Sequence, residues 1–86
     1  MFEVFLSREA EKICLKATLK TTRLLDQCFR DLEESPFLGP NVKRLKGKLG
    51  GSFRYRIGGI RVIYSVNTDS RKVFVETIGP RGDVYK

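Results

Sequence analysis

The amino-acid sequence predicts a single α+β domain over residues 1–86, with elements in the order β-α-α-β-β-β. Two patterns predict this class. Apolar residues in the first third of the chain recur with helical spacing, and apolar and polar residues alternate after residue 51, as they do in half-buried strands. The chain has 86 residues, 41% hydrophobic and 31% charged, which is the composition of one ordinary globular domain.

The first elements are a short strand and a helix. The strand covers Phe2 to Leu6, and Ser7 after it is a suitable N-cap. The apolar stripe of the helix consists of Ala10, Ile13, Cys14 and Ala17. We interpret this stripe as part of the core.

A second helix is predicted after Thr21 and Thr22, which interrupt the stripe and are able to cap a helix. It ends before Ser35, because Pro36 holds its predecessor in an extended conformation. The apolar residues of this helix are Leu24, Leu25, Cys28 and Leu32. The two helices form a hairpin, and residues 36–51, rich in Gly, Pro and Lys, are predicted to be a loop.

Two strands joined by a two-residue turn follow the loop. Residues 52–57 and 60–66 alternate, and Gly58 and Gly59 supply the two positive-φ positions of a type I′ turn. The turn sets the register, in which the opposed pairs are Ile57 and Ile60, Arg56 and Arg61, Tyr55 and Val62, and Arg54 and Ile63.

The alternation sorts the side chains of this hairpin onto two faces. The apolar face, predicted to pack on the helices, carries Phe53, Tyr55, Ile57, Ile60, Val62, Tyr64 and Val66. The other face gathers Arg54, Arg56 and Arg61. Opposed like charges destabilise a sheet unless an anion compensates them, and arginine suits bidentate phosphate binding. We therefore expect a phosphodiester as the ligand of this face. The alternative is that the arginines only solubilise this face, paired with Glu76.

The last strand is predicted from Lys72 to Ile78, after a turn at residues 67–70. The rest of the chain contains one proline and two glycines and is predicted to be a loop. Arg81 and Tyr85 in this loop either fray or fold back over the sheet.

The positive charge of the chain is concentrated in one segment. The net charge is +7, and residues 35–68 carry seven basic residues and no acidic one. The basic residues of this segment outside the hairpin are Lys43, Arg44, Lys46 and Lys48. A localised excess of this kind predicts a polyanionic partner.

The sequence argues against several classes of function. The chain has no His, no acidic cluster with ligand spacing, and no phosphate-binding glycine motif, so we expect neither a metal nor any small-molecule cofactor. Its apolar runs are far shorter than the ~20 residues that span a bilayer, and the N-terminus has no basic leader region. These features predict a cytoplasmic protein with no membrane partner.

Three strings of residues closely resemble the RelE branch of the RelE/ParE toxin superfamily. They are Leu45-Lys46-Gly47, RYRIGGIRVIY from Arg54 to Tyr64, and IGPR from Ile78 with Val84-Tyr85 after it. The resemblance covers essentially the whole chain. It implies a largely antiparallel four-stranded sheet with a helical hairpin packed on one face.

The resemblance also implies a function. The chain would be the toxin of a type II toxin–antitoxin system, a metal-independent mRNA interferase that cuts mRNA in the ribosomal A site. The ribose 2′-OH would attack the adjacent phosphate, giving a 2′,3′-cyclic phosphate and a free 5′-OH. The implied partners are the ribosome with its rRNA, the mRNA, and an acidic RelB-like antitoxin. The charge favours the same antitoxin, because an acidic, partly disordered segment would mask the arginines.

Site residues follow from the resemblance position by position. Arg54, Arg56 and Arg61 match basic residues of the family's strands, and Arg81 and Tyr85 match its C-terminal pair. Guanidinium groups stabilise the charge of a phosphorane without a metal, and Tyr85 would stack on a base or position the nucleophile. We interpret four further basic residues as loop charges that steer the protein to ribosomal RNA: Lys43, Arg44, Lys46 and Lys48.

Two questions stay open in the sequence. Many relatives have lysine at the strand positions where this chain has arginine, and arginine does not deprotonate. The general base is therefore Lys48, Tyr85 or a group of the rRNA, or else catalysis rests on substrate positioning and charge. The alternative functions are a ParE-like gyrase-inhibiting toxin, a non-catalytic RNA-binding domain with strongly salt-dependent affinity, and a purely structural or partner-binding domain. The Arg81 and Tyr85 pair favours the nuclease over the gyrase poison.

Overall fold

The computed structural model describes residues 1–45 and 51–80, and this part of the chain forms two helices and five strands. In chain order they are β1 (Glu3–Leu6), α1 (Arg8–Lys16), α2 (Leu19–Glu34), β2 (Val42–Arg44), β3 (Ser52–Ile57), β4 (Ile60–Asn67) and β5 (Lys72–Pro80). The predicted α+β class is confirmed, and each of the six predicted elements is present.

The strands form one mixed sheet in the order β1-β5-β4-β3-β2. All neighbouring strands are antiparallel except β1 and β5, which are parallel. The resemblance implied four strands, and the additional strand β2 lies in a segment predicted to be a loop. It forms because β3 would otherwise be a free edge: Val42 pairs with Tyr55, and the Leu45 amide donates to the Ser52 carbonyl at 3.0 Å. Three residues are too few to show a strand alternation in the sequence.

Both helices begin at a hydroxyl N-cap. Ser7 caps α1 as predicted, and its Oγ accepts a hydrogen bond from the Ala10 amide at 3.1 Å. The start predicted for α2 is wrong, because this helix begins at Leu19, before the threonine pair predicted to cap it. Thr18 is the cap, since its Oγ1 accepts from the Thr21 amide at 3.2 Å. The link between the helices is therefore shorter than predicted, and the predicted capping residues lie in the first turn.

The hairpin of β3 and β4 has the predicted turn and the predicted register throughout. Gly58 has φ +54° and Gly59 has φ +82°, as a type I′ turn requires. A Cβ atom on Gly58 would lie 2.6 Å from Leu24 Cδ1. Glycine therefore serves two purposes here, because it allows the turn and lets the turn approach α2.

Both helices pack on one face of the sheet, which we call the helix face and define by Tyr55, Val62 and Tyr64. The core between helices and sheet consists of Ala10, Leu25, Cys28, Leu32, Tyr55, Val62, Tyr64, Val73, Val75 and Ile78. The remaining residues of the predicted apolar face are partly buried against this core: Phe53, Ile57, Ile60 and Val66. The Tyr64 hydroxyl donates to the Pro36 carbonyl at 2.7 Å, which fastens the end of α2 to the middle of the sheet.

Candidate nucleic-acid interface

The opposite face of the sheet carries the basic cluster. We call it the arginine face and define it by Arg54, Arg56 and Arg61, which are all half-buried. Arg56 lies directly opposite Arg61, as the sequence predicts. The Arg56 amide donates to the Asn41 carbonyl at 3.0 Å, on the side away from β4. The two arginines therefore form a non-hydrogen-bonded pair, in which opposed Cα atoms are only ~4.5 Å apart.

Arg54 lies beside this pair, two residues from Arg56 on the same side of β3. It pairs with Ile63 of β4 on one side and with Lys43 of β2 on the other. Ile63 is only 3% exposed although it lies on the arginine face, so the cluster surrounds an apolar centre. Four cationic side chains thus lie on adjacent positions of three neighbouring strands.

Two side-chain nitrogen atoms of the arginine face are shielded from solvent. The Nε atoms of Arg54 and Arg61 are both buried. Within the part of the chain that the structure describes, Arg54 Nε has no hydrogen-bond partner. A buried donor without a partner costs about 1–3 kcal/mol, and a bound oxyanion would recover this energy. The cluster therefore combines concentrated positive charge with one donor, Arg54 Nε, that lacks a partner among the described residues, and both features favour binding of an anion.

Glu76, the acid considered in the sequence as a partner for the arginines, lies at an irregularity of β5. Ile63 pairs with Thr77 and Tyr64 with Val75, so Glu76 is an extra residue between two register positions. Its Oε1 accepts a hydrogen bond from Ser52 Oγ at 3.3 Å, on the side of the sheet that carries the arginines.

The structure divides the residues interpreted as loop charges. Lys43 and Arg44 lie on β2, so their placement in a loop is wrong. Lys43 pairs with Arg54 and joins the arginine face, whereas Arg44 pairs with Phe53 and is on the helix-face side of the sheet. Both side chains are exposed. No pattern in the sequence separates these two residues, because three residues are too few to show an alternation.

Four predicted site residues lie outside the described residues: Lys46, Lys48, Arg81 and Tyr85. The described part of β5 ends at Pro80, which pairs with Ile60. Gly79 lies directly opposite Arg61 and carries no side chain. The strand therefore runs two residues beyond its predicted end at Ile78 and passes beside the arginine pair.

A hydrogen-bond network on the helix face holds the arginine-bearing strand in place. The Tyr55 hydroxyl donates to Asp31 Oδ2 of α2 and accepts from Asn41 Nδ2 at 3.4 Å. Gln27 Nε2 also donates to Asp31, at 2.9 Å. Burial and the hydrogen bond to Asp31 raise the pKa of Tyr55 to about 12, so its hydroxyl stays protonated at neutral pH.

Asn41 joins this network to the arginine face, because its carbonyl also accepts from the Arg56 amide. Sequence reasoning missed Asn41 and Asp31, since neither belongs to a periodic pattern. The Tyr55 network also lines a pocket of about 240 Å³ with Glu34, Ser35 and Leu38. Tyr55 lies between Arg54 and Arg56 in sequence, so fixing its ring fixes the backbone that carries both arginines.

Among the residues that the structure describes, no group of three or more His, Cys, Asp or Glu side chains is placed to hold a metal ion. No helix in residues 1–45 and 51–80 is long and apolar enough to cross a membrane.

The described residues thus form a helical hairpin on one face of a five-stranded sheet, with an arginine cluster on the other face. Residues 4–85 match the family of ParE toxins of type II toxin–antitoxin systems. The chain belongs to this family, and it is a toxin of the RelE/ParE superfamily. No curated protein sequence matches the chain significantly.

Solved structures agree with this assignment. The toxin–antitoxin complex RelBE2 from Mycobacterium tuberculosis is similar at 21% identity and a TM-score of 0.81, covering 93% of this chain and 98% of the other. The RelE–RelB complex from Pyrococcus horikoshii is similar at 27% identity and a TM-score of 0.80, covering 95% and 97%. A YoeB/ParE toxin from Agrobacterium tumefaciens is similar at 15% identity and a TM-score of 0.81, covering 93% and 99%. The predicted superfamily is therefore confirmed.

Proposed function

We propose that this toxin is a metal-independent mRNA interferase that acts in the cytoplasm and cleaves mRNA in the ribosomal A site. The observation that carries the proposal is the arginine face itself. Three half-buried arginines occupy adjacent positions on one face of the sheet, and the buried Nε of Arg54 lacks a partner among the described residues. A phosphodiester supplies the oxyanions that such a site lacks.

The reaction proposed for this site is an internal transfer at phosphorus. The ribose 2′-oxygen forms a bond to the adjacent phosphorus, and the bond from phosphorus to the 5′-oxygen breaks. The products are a 2′,3′-cyclic phosphate and a 5′-hydroxyl, and one proton moves from the 2′-oxygen to the leaving oxygen. Negative charge accumulates on the phosphoryl oxygens in the transition state. Positioned guanidinium donors stabilise that charge, and loss of one such donor typically costs ~10²- to 10³-fold in rate.

We assign the roles within the site as follows. Arg61 and Arg81 clamp the phosphoryl oxygens, Arg54 and Arg56 hold the flanking backbone, and Tyr85 stacks on a base or positions the nucleophile. Two features of the described residues support a role for Arg81: it is bonded to Pro80, which pairs with Ile60, and Gly79 leaves room beside Arg61. Because arginine does not deprotonate, the proton is taken by Lys48, Tyr85 or a group of the ribosomal RNA, or the step relies on positioning and charge.

The remaining basic residues would bind the ribosome. Lys43, next to Arg54 on the arginine face, extends the phosphate contacts, whereas Arg44, Lys46 and Lys48 steer the protein to ribosomal RNA. The proposed inhibitor is an acidic RelB-like antitoxin that masks the arginine face. The similar RelE from Pyrococcus horikoshii was solved as a complex with RelB, which supports an antitoxin of this kind.

A second candidate is inhibition of DNA gyrase, because the matching family is that of the ParE toxins. One pair of assays separates the two functions. Purified toxin is incubated with ribosomes translating a defined message, and the ends of that message are mapped by primer extension. The same preparation is added to a gyrase supercoiling reaction. We expect cuts in the A-site codon and unaffected supercoiling. Intact message with inhibited supercoiling would assign the gyrase function, and intact message with retained ribosome binding would leave a non-catalytic RNA-binding domain.

A further inference from the structure

The arginine face continues beyond the basic cluster to two exposed aromatic side chains. Phe5 of β1 pairs with Phe74 of β5, which in turn pairs with Ser65 of β4. Ser65 is two residues from Ile63 and lies on the same side of the sheet as the arginines. The aromatic pair, Phe5 and Phe74, therefore belongs to the same face as Arg54.

Both rings of the aromatic pair are partly exposed to solvent. Phe5 is 38% exposed and Phe74 is 42% exposed, although both are large apolar side chains. Their rings are nearly parallel, with centroids 5.8 Å apart and planes inclined by 23°. Lys72 Nζ lies 5.6 Å from the centroid of the Phe5 ring. Two adjacent aromatic planes with a cation beside them form the kind of surface on which nucleic-acid bases stack.

We propose that the aromatic pair is a stacking site for a base of single-stranded RNA whose backbone is held by the arginine face. This stacking site rests on the proposed function only in taking RNA as the ligand, and it does not require that the RNA is cleaved. Phe74 lies two strands and two register positions from Arg54, a distance of about 12 Å from the regular geometry of a sheet. About three to four nucleotides of a stacked strand span that distance.

The charges around the aromatic pair define how the strand lies. Lys72, opposite Glu3, lies over the Phe5 ring and would contact a phosphate there. Glu76 binds Ser52 between the aromatic pair and the arginines. A carboxylate repels a phosphate but accepts hydrogen bonds from the amino groups of bases. The RNA would therefore turn base edges toward Glu76 and keep its phosphates on the arginines and Lys72.

The test measures binding without chemistry. The probe is a fluorescein-labelled 2′-O-methyl oligoribonucleotide of about ten nucleotides, which has no 2′-OH nucleophile, and affinity is read by fluorescence anisotropy. Phe74→Ala and Phe5→Ala in the full chain are each expected to weaken binding by roughly 5- to 150-fold, the usual effect of removing one stacking ring. Phe74→Tyr keeps the ring and should bind as the wild type does, whereas Phe74→Leu keeps apolar area without a stacking plane and should bind weakly.

Leu15→Ala provides the control for loss of exposed apolar surface, because Leu15 is 82% exposed on α1, away from the arginine face. It should leave the affinity unchanged, and thermal unfolding checks that each variant is folded. The proposal is overturned if the wild-type chain does not bind the probe, if both alanine variants bind it as tightly as the wild type, or if Phe74→Leu binds normally. Alanine variants that bind RNA normally but lose affinity for the antitoxin would assign the pair to that partner instead. Ring-dependent binding with uncut message on ribosomes would refute the proposed function and leave this proposal standing.

Discussion

The two faces of the β3–β4 hairpin are built from alternate residues of the same strands, yet they differ in whether their polar groups have hydrogen-bond partners within the chain. On the helix face, the hydroxyls of Tyr55 and Tyr64 are buried and each has a hydrogen-bond partner on another element. On the arginine face, Arg56 and Arg61 are directly opposed, and Arg54 Nε is buried without a partner among the described residues. The tyrosine hydroxyls of the helix face have hydrogen-bond partners within the chain. On the arginine face, a ligand would supply the partner that Arg54 Nε lacks among the described residues.

This difference indicates which residues maintain the fold and which are available for function. Groups that are already paired inside the molecule contribute to stability, and their loss should lower the free energy of unfolding. Groups that repel one another or lack partners lower stability, and a folded chain tolerates them where they bind something else. Substitutions on the two faces should therefore change different measurements.

The largest effect is expected on the arginine face. Arg61→Ala should reduce ribosome-dependent cleavage by ~10²- to 10³-fold and abolish growth arrest, because it removes a charged donor from the proposed phosphate clamp. Arg81→Ala should have the same effect. Cleavage is measured by primer extension on translating ribosomes, and growth by induced expression in cells.

Arg23→Ala is the matched control, since Arg23 is exposed on α2 and lies on the helix side of the sheet. It removes the same charge from the chain and should leave cleavage and growth arrest unchanged. Arg61→Ala should also unfold at about the wild-type temperature in thermal denaturation, which shows that the variant is folded. Full toxicity of Arg61→Ala, or equal losses in Arg23→Ala, would contradict the assignment of this face.

The contrast between the faces is the part of the fold that was most readable in the sequence. Strict alternation on both sides of Gly58 and Gly59 fixes a register, and the register alone decides that Arg54, Arg56 and Arg61 share a face. No long-range information is needed for this, because a two-residue turn leaves one way to pair the strands. The caps and the proline that delimit the helices are local in the same sense, although the prediction that Thr21 and Thr22 cap α2 is wrong, because Thr18 is the cap.

Features that depend on distant segments could not be predicted in the same way. Strand β2 exists because the edge of β3 accepts it, and Val42 to Arg44 has too few residues to show an alternation. The hydrogen bonds from Tyr55 to Asp31 and from Asn41 to Tyr55 join residues 24 and 14 positions apart. The position of the aromatic pair requires knowing that β1 pairs in parallel with β5, which no pattern in the sequence states.

A smaller effect, on stability, is expected on the helix face. Tyr55→Phe removes a hydrogen bond to the Asp31 carboxylate and should lower the free energy of unfolding by about 1.5–3 kcal/mol at neutral pH. The effect should depend on pH. The pKa of Tyr55 is raised from its ordinary value of 10 to about 12, so the folded state holds this proton more tightly than the unfolded state does. The stabilisation that the protonated Tyr55 hydroxyl contributes is complete below about pH 10 and is lost as the pH rises toward 12.

Chemical denaturation of the wild type and of Tyr55→Phe between pH 7 and pH 12 tests this sign. The difference in the free energy of unfolding between the wild type and Tyr55→Phe should narrow above about pH 10. Burial also raises the pKa of Tyr64 and of Cys28, but both groups titrate in both proteins and cancel in the difference. A difference that widens with pH, or one that stays constant up to pH 12, would contradict the assignment to Tyr55.

The smallest effect should have the opposite sign. Arg54→Met replaces a buried donor that lacks a partner, and a charge opposed to Lys43, with an unbranched apolar side chain. We expect the free energy of unfolding to rise by about 1 kcal/mol, measured by denaturation at neutral pH, because the buried Nε is removed along with the repulsion. RNA affinity should fall in the same variant, so stability and binding change in opposite directions. Arg23→Met, at an exposed helical position, should alter neither. An Arg54→Met chain that is less stable than the wild type would mean that this guanidinium is satisfied in the folded protein, and the contrast between the two faces would then not hold at Arg54.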